Sequence, residues 1–304
     1  MNVVPAIFGN FTIDDLVFPD GSTRWAVPGG GAPYAALGAA LWAGSSTIVA
    51  PVGDDYPLQS LGTRADVSRC RRISHTLRNW GLYEDDGRRS FIGRGNSRNW
   101  SDFGPNASDV VAGFQTAAHV APLPVDLAEE LVHELRAKGA TLISLDLDDH
   151  DLIGGRSPDR LMRMVNAVDL FLPSNQDLLS FYPSMSPLEA LRELREQAPN
   201  IPLIAIKCGA DGAIAHFAGM REWVSIPAVP VAVVDVTGAG DAFCGGVLAG
   251  FANQVDNVEA LLQGIASASF CIEGFGVSCI ASASREAAMD RVHWLRDRVV
   301  YRSL

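Results

Sequence analysis

The chain has 304 residues, 48% hydrophobic and 19% charged, with a formal net charge of −11. That composition belongs to a globular protein able to bury a large core, and the acidic balance argues against nucleic acid or an anionic membrane surface as the main partner. Five cysteines without a C-x-x-C pair, no leader-like start and no apolar run of the ~18 residues a membrane span needs lead to the expectation of a cytoplasmic protein with reduced thiols.

In chain order, residues 3–8 predict a strand ending at Gly9-Asn10, and residues 11–26 a β-hairpin around Pro19-Asp20-Gly21. Pro28-Gly29-Gly30-Gly31 interrupts it, and residues 32–43 form an Ala/Leu helix closed by Gly44. A strand over 47–52 runs into Gly53-Asp54-Asp55. The Arg-rich stretch 64–81 has no clear assignment. Residues 82–83 and 88–94 predict a second hairpin across Asp85-Asp86-Gly87, followed by a polar loop. The segments 11–26 and 82–100 are expected to form a small β lid inserted in a single domain spanning 1–304.

From residue 107 the pattern alternates strand and helix, which favours a parallel sheet covered by helices. Strands are predicted at 119–121, 141–145, 168–172 and 202–206, with helices at 126–138 and 157–167. Ser186-Pro187-Leu188-Glu189 reads as a capping box with proline at the first helical position. A hairpin over 213–217 and 222–226 precedes a β-branched run at 231–234, predicted as a buried strand. Helices at 242–252, 258–272 and 284–300 close the chain.

Asp235-Val236-Thr237-Gly238-Ala239-Gly240-Asp241 turns from that run into a small-residue helix. A Gly-rich turn opening a helix aims unpaired N–H groups and the positive dipole end at one point, which suits a phosphate. Asp241 has two readings here: an acid complementing the helix dipole, or a base that takes a proton from an attacking hydroxyl. Two common phosphate cradles fail. Neither lysine, Lys138 or Lys207, follows glycine as a P-loop requires, and Gly238-Ala239-Gly240 is not completed to G-x-G-x-x-G. No His pair has helical metal-ligand spacing, so a zinc site is not expected.

The stretch 235–241 resembles the D-x-T-G-A-G-D motif of the ribokinase-like (PfkB) carbohydrate kinases. Gly29-Gly30 before an Ala-rich helix, Gly53-Asp54-Asp55, and Lys207-x-Gly209-x-x-Gly212 resemble three further elements of that family, in the family's order. The resemblance implies a three-layer α/β/α core with a mostly parallel sheet and a small β lid. It implies ATP-dependent phosphorylation of a hydroxymethyl group on a sugar or polyol, with Mg2+ held mainly through nucleotide phosphates and water, and in many members K+. By the same resemblance Asp241 is the base and Gly238, Ala239 and Gly240 the anion hole. Asp14, Gly30, Gly31 and Tyr34 then fall on the acceptor side. Asn175, Lys207, Gly209, Gly212 and Thr237 fall on the nucleotide side, and Asp235, Gly274 and Ser278 near a monovalent cation.

The chain departs from that pattern at three places. Tyr34 stands where the family usually has Asn, either as a core tyrosine or as a stacking face. Leu178 ends the N-x-x-E motif begun by Asn175, with Asp177 one residue early. Gly31 replaces a basic residue common among ribokinases. The acidic run 146–151 reads as a solvated loop whose first member, Asp146, alone is near a strand end; Arg94 and Trp100 either touch substrate or cover the lid. A nucleoside kinase of the same fold and a catalytically silent sugar-sensing protein are the alternatives, and a homodimer is compatible with the sequence.

Overall fold

A ten-stranded sheet forms the middle layer of the protein, whose computed structural model describes residues 3–85, 89–94, 102–112, 116–147 and 158–303. Its parallel part contains β1 (Ala6–Phe8), β4 (Ser46–Val49), β6 (Ala65–Asp66), β10 (Ala117–Val120), β11 (Leu142–Leu145), β12 (Leu170–Phe171) and β13 (Leu203–Lys207). The order runs β6-β4-β1-β10-β11-β12-β13, and β14 (Ala213–Phe217), β15 (Glu222–Ile226) and β16 (Val300–Ser303) continue it antiparallel. The parallel strands are short and almost wholly apolar, as expected where both faces are covered.

Two layers of helices cover them. One face packs α1 (Gly31–Ala43), α6 (Ala239–Ala252), α7 (Asn257–Cys271) and α9 (Arg285–Arg296); the other packs α2 (Val125–Ala137), α3 (Pro158–Ala167) and α5 (Pro187–Gln197). The small residues of α1 and α6 have a packing purpose. A Cβ at Gly245 would lie 1.9 Å from the Ala35 carbonyl oxygen, and one at Gly38 would lie 2.3 Å from that of Ala242. The two helices therefore touch backbone to backbone, which fixes the start of α6 against the start of α1.

The lid is a four-stranded sheet in the order β3-β2-β8-β9, from β2 (Thr12–Val17), β3 (Thr23–Gly29), β8 (Leu77–Tyr83) and β9 (Arg89–Gly93). Its third strand begins at Leu77, inside the Arg-rich stretch that has no clear assignment by sequence, and pairs parallel with β2 so that Asp14 faces Asn79. The predicted turn residues Asp86 and Gly87, and Trp100, lie outside the described residues, as do positions 148–151 of the acidic run.

The expected strand over 47–52 is two strands: Pro51 opens β5 (Pro51–Gly53), which leaves the main sheet to pair with β7 (Arg71–Ile73). The expected buried strand at 231–234 is not a strand. Val233 and Val234 are 59% and 45% exposed, and the Val234 N–H donates to the Ile272 carbonyl at 2.8 Å. β-Branched composition favours extended backbone, but ladder formation needs a free partner edge, and beside β15 that edge is taken by β16. The last predicted helix stops at Arg296, and the chain turns back as β16.

Candidate active site

α1 and α6 begin at one cavity, and the lid closes its far side. The cavity encloses about 220 Å3 and is lined by residues of the β1–β2 loop, the Gly29–Gly31 turn, the lid and the start of α6. Gly30 has φ +109, and a Cβ there would come within 2.4 Å of the Asn10 carbonyl oxygen. The turn into α1 thus lies directly on the β1–β2 loop, where Asn10 Oδ1 accepts from the Gly31 N–H at 3.2 Å.

One wall is polar. Asp14 is buried, accepts from Thr12 Oγ1 at 2.9 Å and from Asn79 Nδ2 at 3.0 Å, and burial pushes its carboxyl up to about 6. Its neighbour Asp15 turns the other way: the carboxylate pairs with Arg94 and accepts from the Ala26 N–H at 2.8 Å. The guanidinium of Arg94 also lies 4.3 Å from the Trp80 ring centroid. Strand alternation separates the two acids, placing Asp14 at the cavity and Asp15 in the lid's own framework.

The opposite wall is the beginning of α6. Gly238 takes φ +78, and a Cβ on it would lie 2.3 Å from Tyr34 ring carbons. The turn therefore rests on one face of Tyr34, which is 2% exposed. That ring is a packed core tyrosine whose edge reaches the cavity, and its covered face is closed to stacking. Asp241, in the first turn of α6, is half-buried, and its Oδ1 is buried with no hydrogen-bond partner. A Cβ at Gly31 would come within 2.9 Å of that oxygen, so glycine at this position leaves room beside the acid. Burial and the nearby Asp146 carboxylate push Asp241 up to about 7, while Lys207 and Arg89 oppose them.

Of the expected site residues, Asp14, Gly30, Gly31, Tyr34, Thr237, Gly238 and Asp241 line one cavity. Ala239 and Gly240 continue from Gly238 as the first residues of α6, whose opening N–H groups have no helical acceptors. Asn175 opens α4 (Asn175–Leu179), and Leu178 is core. Asp177, one residue before it, caps its own helix by accepting from the Ser174 N–H at 2.7 Å. Gly209 and Gly212 form the tight turn between β13 and β14, where the Cys208 N–H donates to the Gly212 carbonyl at 2.8 Å. Lys207 extends inward and pairs with Asp146. Asp235 Oδ1 accepts from the Thr237 N–H at 2.9 Å and from the Tyr83 hydroxyl at 2.7 Å. Ser278 Oγ donates to the Phe275 carbonyl at 3.3 Å, and Gly274 packs on Cys279.

Asn10, in the β1–β2 loop, also lines the cavity, and sequence reading missed Thr12, Asn79, Phe91, Gly93 and Pro122 as lining residues. Thr12 was readable as the same strand face as Asp14, two residues earlier. Asn79, Phe91 and Gly93 come from strands whose register only the lid sheet defines.

The sequence matches the pfkB family carbohydrate kinases over residues 14–283. This chain belongs to the PfkB family. PfkB kinases are phosphotransferases acting on sugar or nucleoside hydroxyl groups, and this chain is one of those kinases. It is similar to a cytidine kinase of Thermococcus kodakarensis, 27% identical over 275 residues that cover 89% of this chain and 96% of the relative. Among solved structures it resembles E. coli ribokinase II in complex with ATP and Mg2+, with a TM-score of 0.75 and 20% identity over 97% of this chain and 100% of that one. A nucleoside kinase of Methanocaldococcus jannaschii has a TM-score of 0.74 at 18% identity, covering 97% and 99% of the two chains. The shared fold is the ribokinase one: a mostly parallel sheet between helical layers, with a β lid.

Proposed function

We propose that this kinase transfers the γ-phosphoryl group of ATP to a hydroxymethyl group of a sugar or polyol. The observation that carries the reading is Asp241, which lines the cavity at the first turn of α6 and whose buried Oδ1 has no hydrogen-bond partner. An acceptor hydroxyl between the Asp14–Asn79 wall and α6 would hand its proton to Asp241 as its oxygen attacks phosphorus. The first-turn N–H groups and the α6 dipole would stabilise the charge spreading over the transferred group. Asp14, Asn79, Asn10 and Thr12 supply acceptors and donors suited to several hydroxyls. Phe91 and Pro122 offer the apolar surface that a sugar's C–H face needs.

Among the described residues no group of three or more His, Cys, Asp or Glu side chains could hold a metal. Mg2+ would be carried on nucleotide phosphates and water, where the ion would neutralise phosphate charge. Within the chain, the orientation of base and acceptor is the work of Asp241, Asp14 and the Gly238–Gly240 turn.

A nucleoside acceptor is the second reading, favoured by Phe91, which sits in the cavity wall where a base can stack, and by the near full-length similarity to a cytidine kinase. ATP consumption with a panel of sugars, polyols and nucleosides, in Na+ and in K+, separates them. Turnover of free sugars or polyols supports the first reading, and turnover of nucleosides alone replaces it with the second. Thermal stabilisation by a panel member with no phosphorylated product would mark a silent sensor and sink both.

A further inference from the structure

Behind the cavity, the Lys207 ammonium pairs with Asp146, and its charge is felt at Asp177 and Asp241. Asp146 follows β11 and Lys207 ends β13, with the two-residue β12 between them. Strands stand about 4.8 Å apart, so the pair bridges two strand spacings, and a lysine arm crossing the end of β12 has the reach. Lys207 Nζ donates to Asp146 Oδ2, with the two side chains only 12% and 3% exposed. The same Nζ lies 3.7 Å from Cys244 Sγ and 3.2 Å from where a Cβ on Gly240 would stand. It is thus directly beneath the turn that opens α6. Asp146 is fixed in turn by the Leu147 N–H, 2.9 Å from its Oδ1.

A buried ion pair contributes little net stability over apolar residues of the same volume, so stability does not account for one of the chain's two lysines being here. Its place beside the base does. We propose that Lys207 and Asp146 are positioning residues of the phosphoryl transfer, their ion pair holding opposed fixed charges behind Asp241 that set the pH at which the base becomes able to accept a proton. The proposal rests on the reading of Asp241 as the base. The charged and titratable groups facing Asp241 are Asp146 and Lys207 from the strand ends, Arg89 from the lid, Cys244 on its own helix and Cys271 at the end of α7. Asp146 disfavours the charged form of Asp241, whereas Lys207 and Arg89 favour it. The two members of the pair therefore act on the base in opposite directions.

The test uses the whole chain with Lys207→Met and Asp146→Asn, and follows the acid limb of the pH–kcat profile. Lys207→Met is expected to move that limb upward by about one pH unit, and Asp146→Asn to move it downward. Unmoved limbs, or limbs moving the same way, overturn the proposal. Each variant removes one charge of a buried pair; if Lys207→Met does not fold, Asp146→Asn, whose amide oxygen still accepts from the ammonium, decides alone, a downward shift supporting the idea and no shift or an upward one sinking it. A second readout needs no substrate. The pH dependence of Tm for each variant, compared with the same variant carrying Asp241→Asn, reports the Asp241 titration, and the same opposite displacements are expected there. Failure of the substrate panel alone would leave this readout intact, so loss of the proposed function and loss of this inference can be told apart.

Discussion

The Tyr83 hydroxyl, on the third lid strand, donates a 2.7 Å hydrogen bond to Asp235 Oδ1, six residues before Asp241. The same hydroxyl lies 2.6 Å from Thr237 Oγ1. Phe18 and Phe275 extend the contact, with Phe18 ring centroids 4.8 Å from Tyr83 and 5.6 Å from Phe275. One lid residue thus ties the lid to the turn that opens α6, and burial and the adjacent Asp235 carboxylate raise the Tyr83 hydroxyl's pKa, keeping it a donor.

Removing that hydroxyl should loosen the lid without touching the base. A hydrogen bond to a carboxylate contributes about 1.5 kcal/mol or more, so Tyr83→Phe is expected to raise the acceptor KM about tenfold. Its kcat should stay within about threefold of the parent, and ATP affinity by calorimetry should not change. A kcat loss as large as the KM rise would show that Tyr83 takes part in the transfer itself.

Asp241→Asn should lower kcat by about 10²–10⁴-fold, the range for loss of a general base, while leaving ATP binding intact. With the carboxyl pushed up to about 7, the parent's kcat should rise with pH through the neutral range, because only the deprotonated form accepts the proton. The stability consequence has the opposite direction. A carboxyl raised from 3.8 to about 7 in the folded chain favours folding fully below pH 3.8 and loses that contribution as pH rises through about 7. Asp241→Asn should therefore have a higher Tm than the parent at pH 8 and nearly the same Tm at pH 4. Equal Tm values at both pH values would contradict a raised carboxyl.

The paired acids of β2 should separate by phenotype. Asp14→Asn is expected to raise the acceptor KM at least about tenfold, through a lost charge-assisted bond, with little change in Tm. Asp15→Asn breaks the Arg94 pair inside the lid and should lower Tm while altering KM less. With Asp14 at about 6, kcat/KM for the acceptor should also fall as pH drops below that value. Interchanged phenotypes would reassign which acid faces the acceptor.

Gly238→Ala combines a φ of +78 with a Cβ 2.3 Å from the Tyr34 ring. Left-handed strain and overpacking each cost about 1–3 kcal/mol, and the turn that positions Ala239 and Gly240 must shift. Both Tm and kcat should drop, measured by thermal melting and steady-state assay. An unchanged kcat in a folded variant would remove the turn from the transfer chemistry.

The most legible part of the site was the D-x-T-G-A-G-D stretch, because its chemistry is local: a glycine turn, the N–H groups of a helix start and an acid in the first turn lie within seven consecutive residues. The run just before it misled for a related reason. Residues 231–234 have strand composition, and composition carries no information about whether a sheet edge is free to receive them. The lid shows the same limit, since β8 begins in an Arg-rich stretch with no alternation strong enough to assign.

By itself the sequence determined the family and the alternating strand–helix order, and it singled out the 235–241 stretch for the proposed phosphoryl end, all of which rest on residues near one another in the chain. The tertiary structure decided which residues line the cavity beside Asp14 and which surround Asp241. Asn79 reaches Asp14 across 65 residues, and Lys207 reaches Asp146 across 61, so each pairing depends on lid register or strand order rather than on spacing. It also showed that Tyr34, a departure from the family pattern, serves as the support on which Gly238 turns. A side chain's burial and its partners are properties of the packed layers, and no motif encodes them.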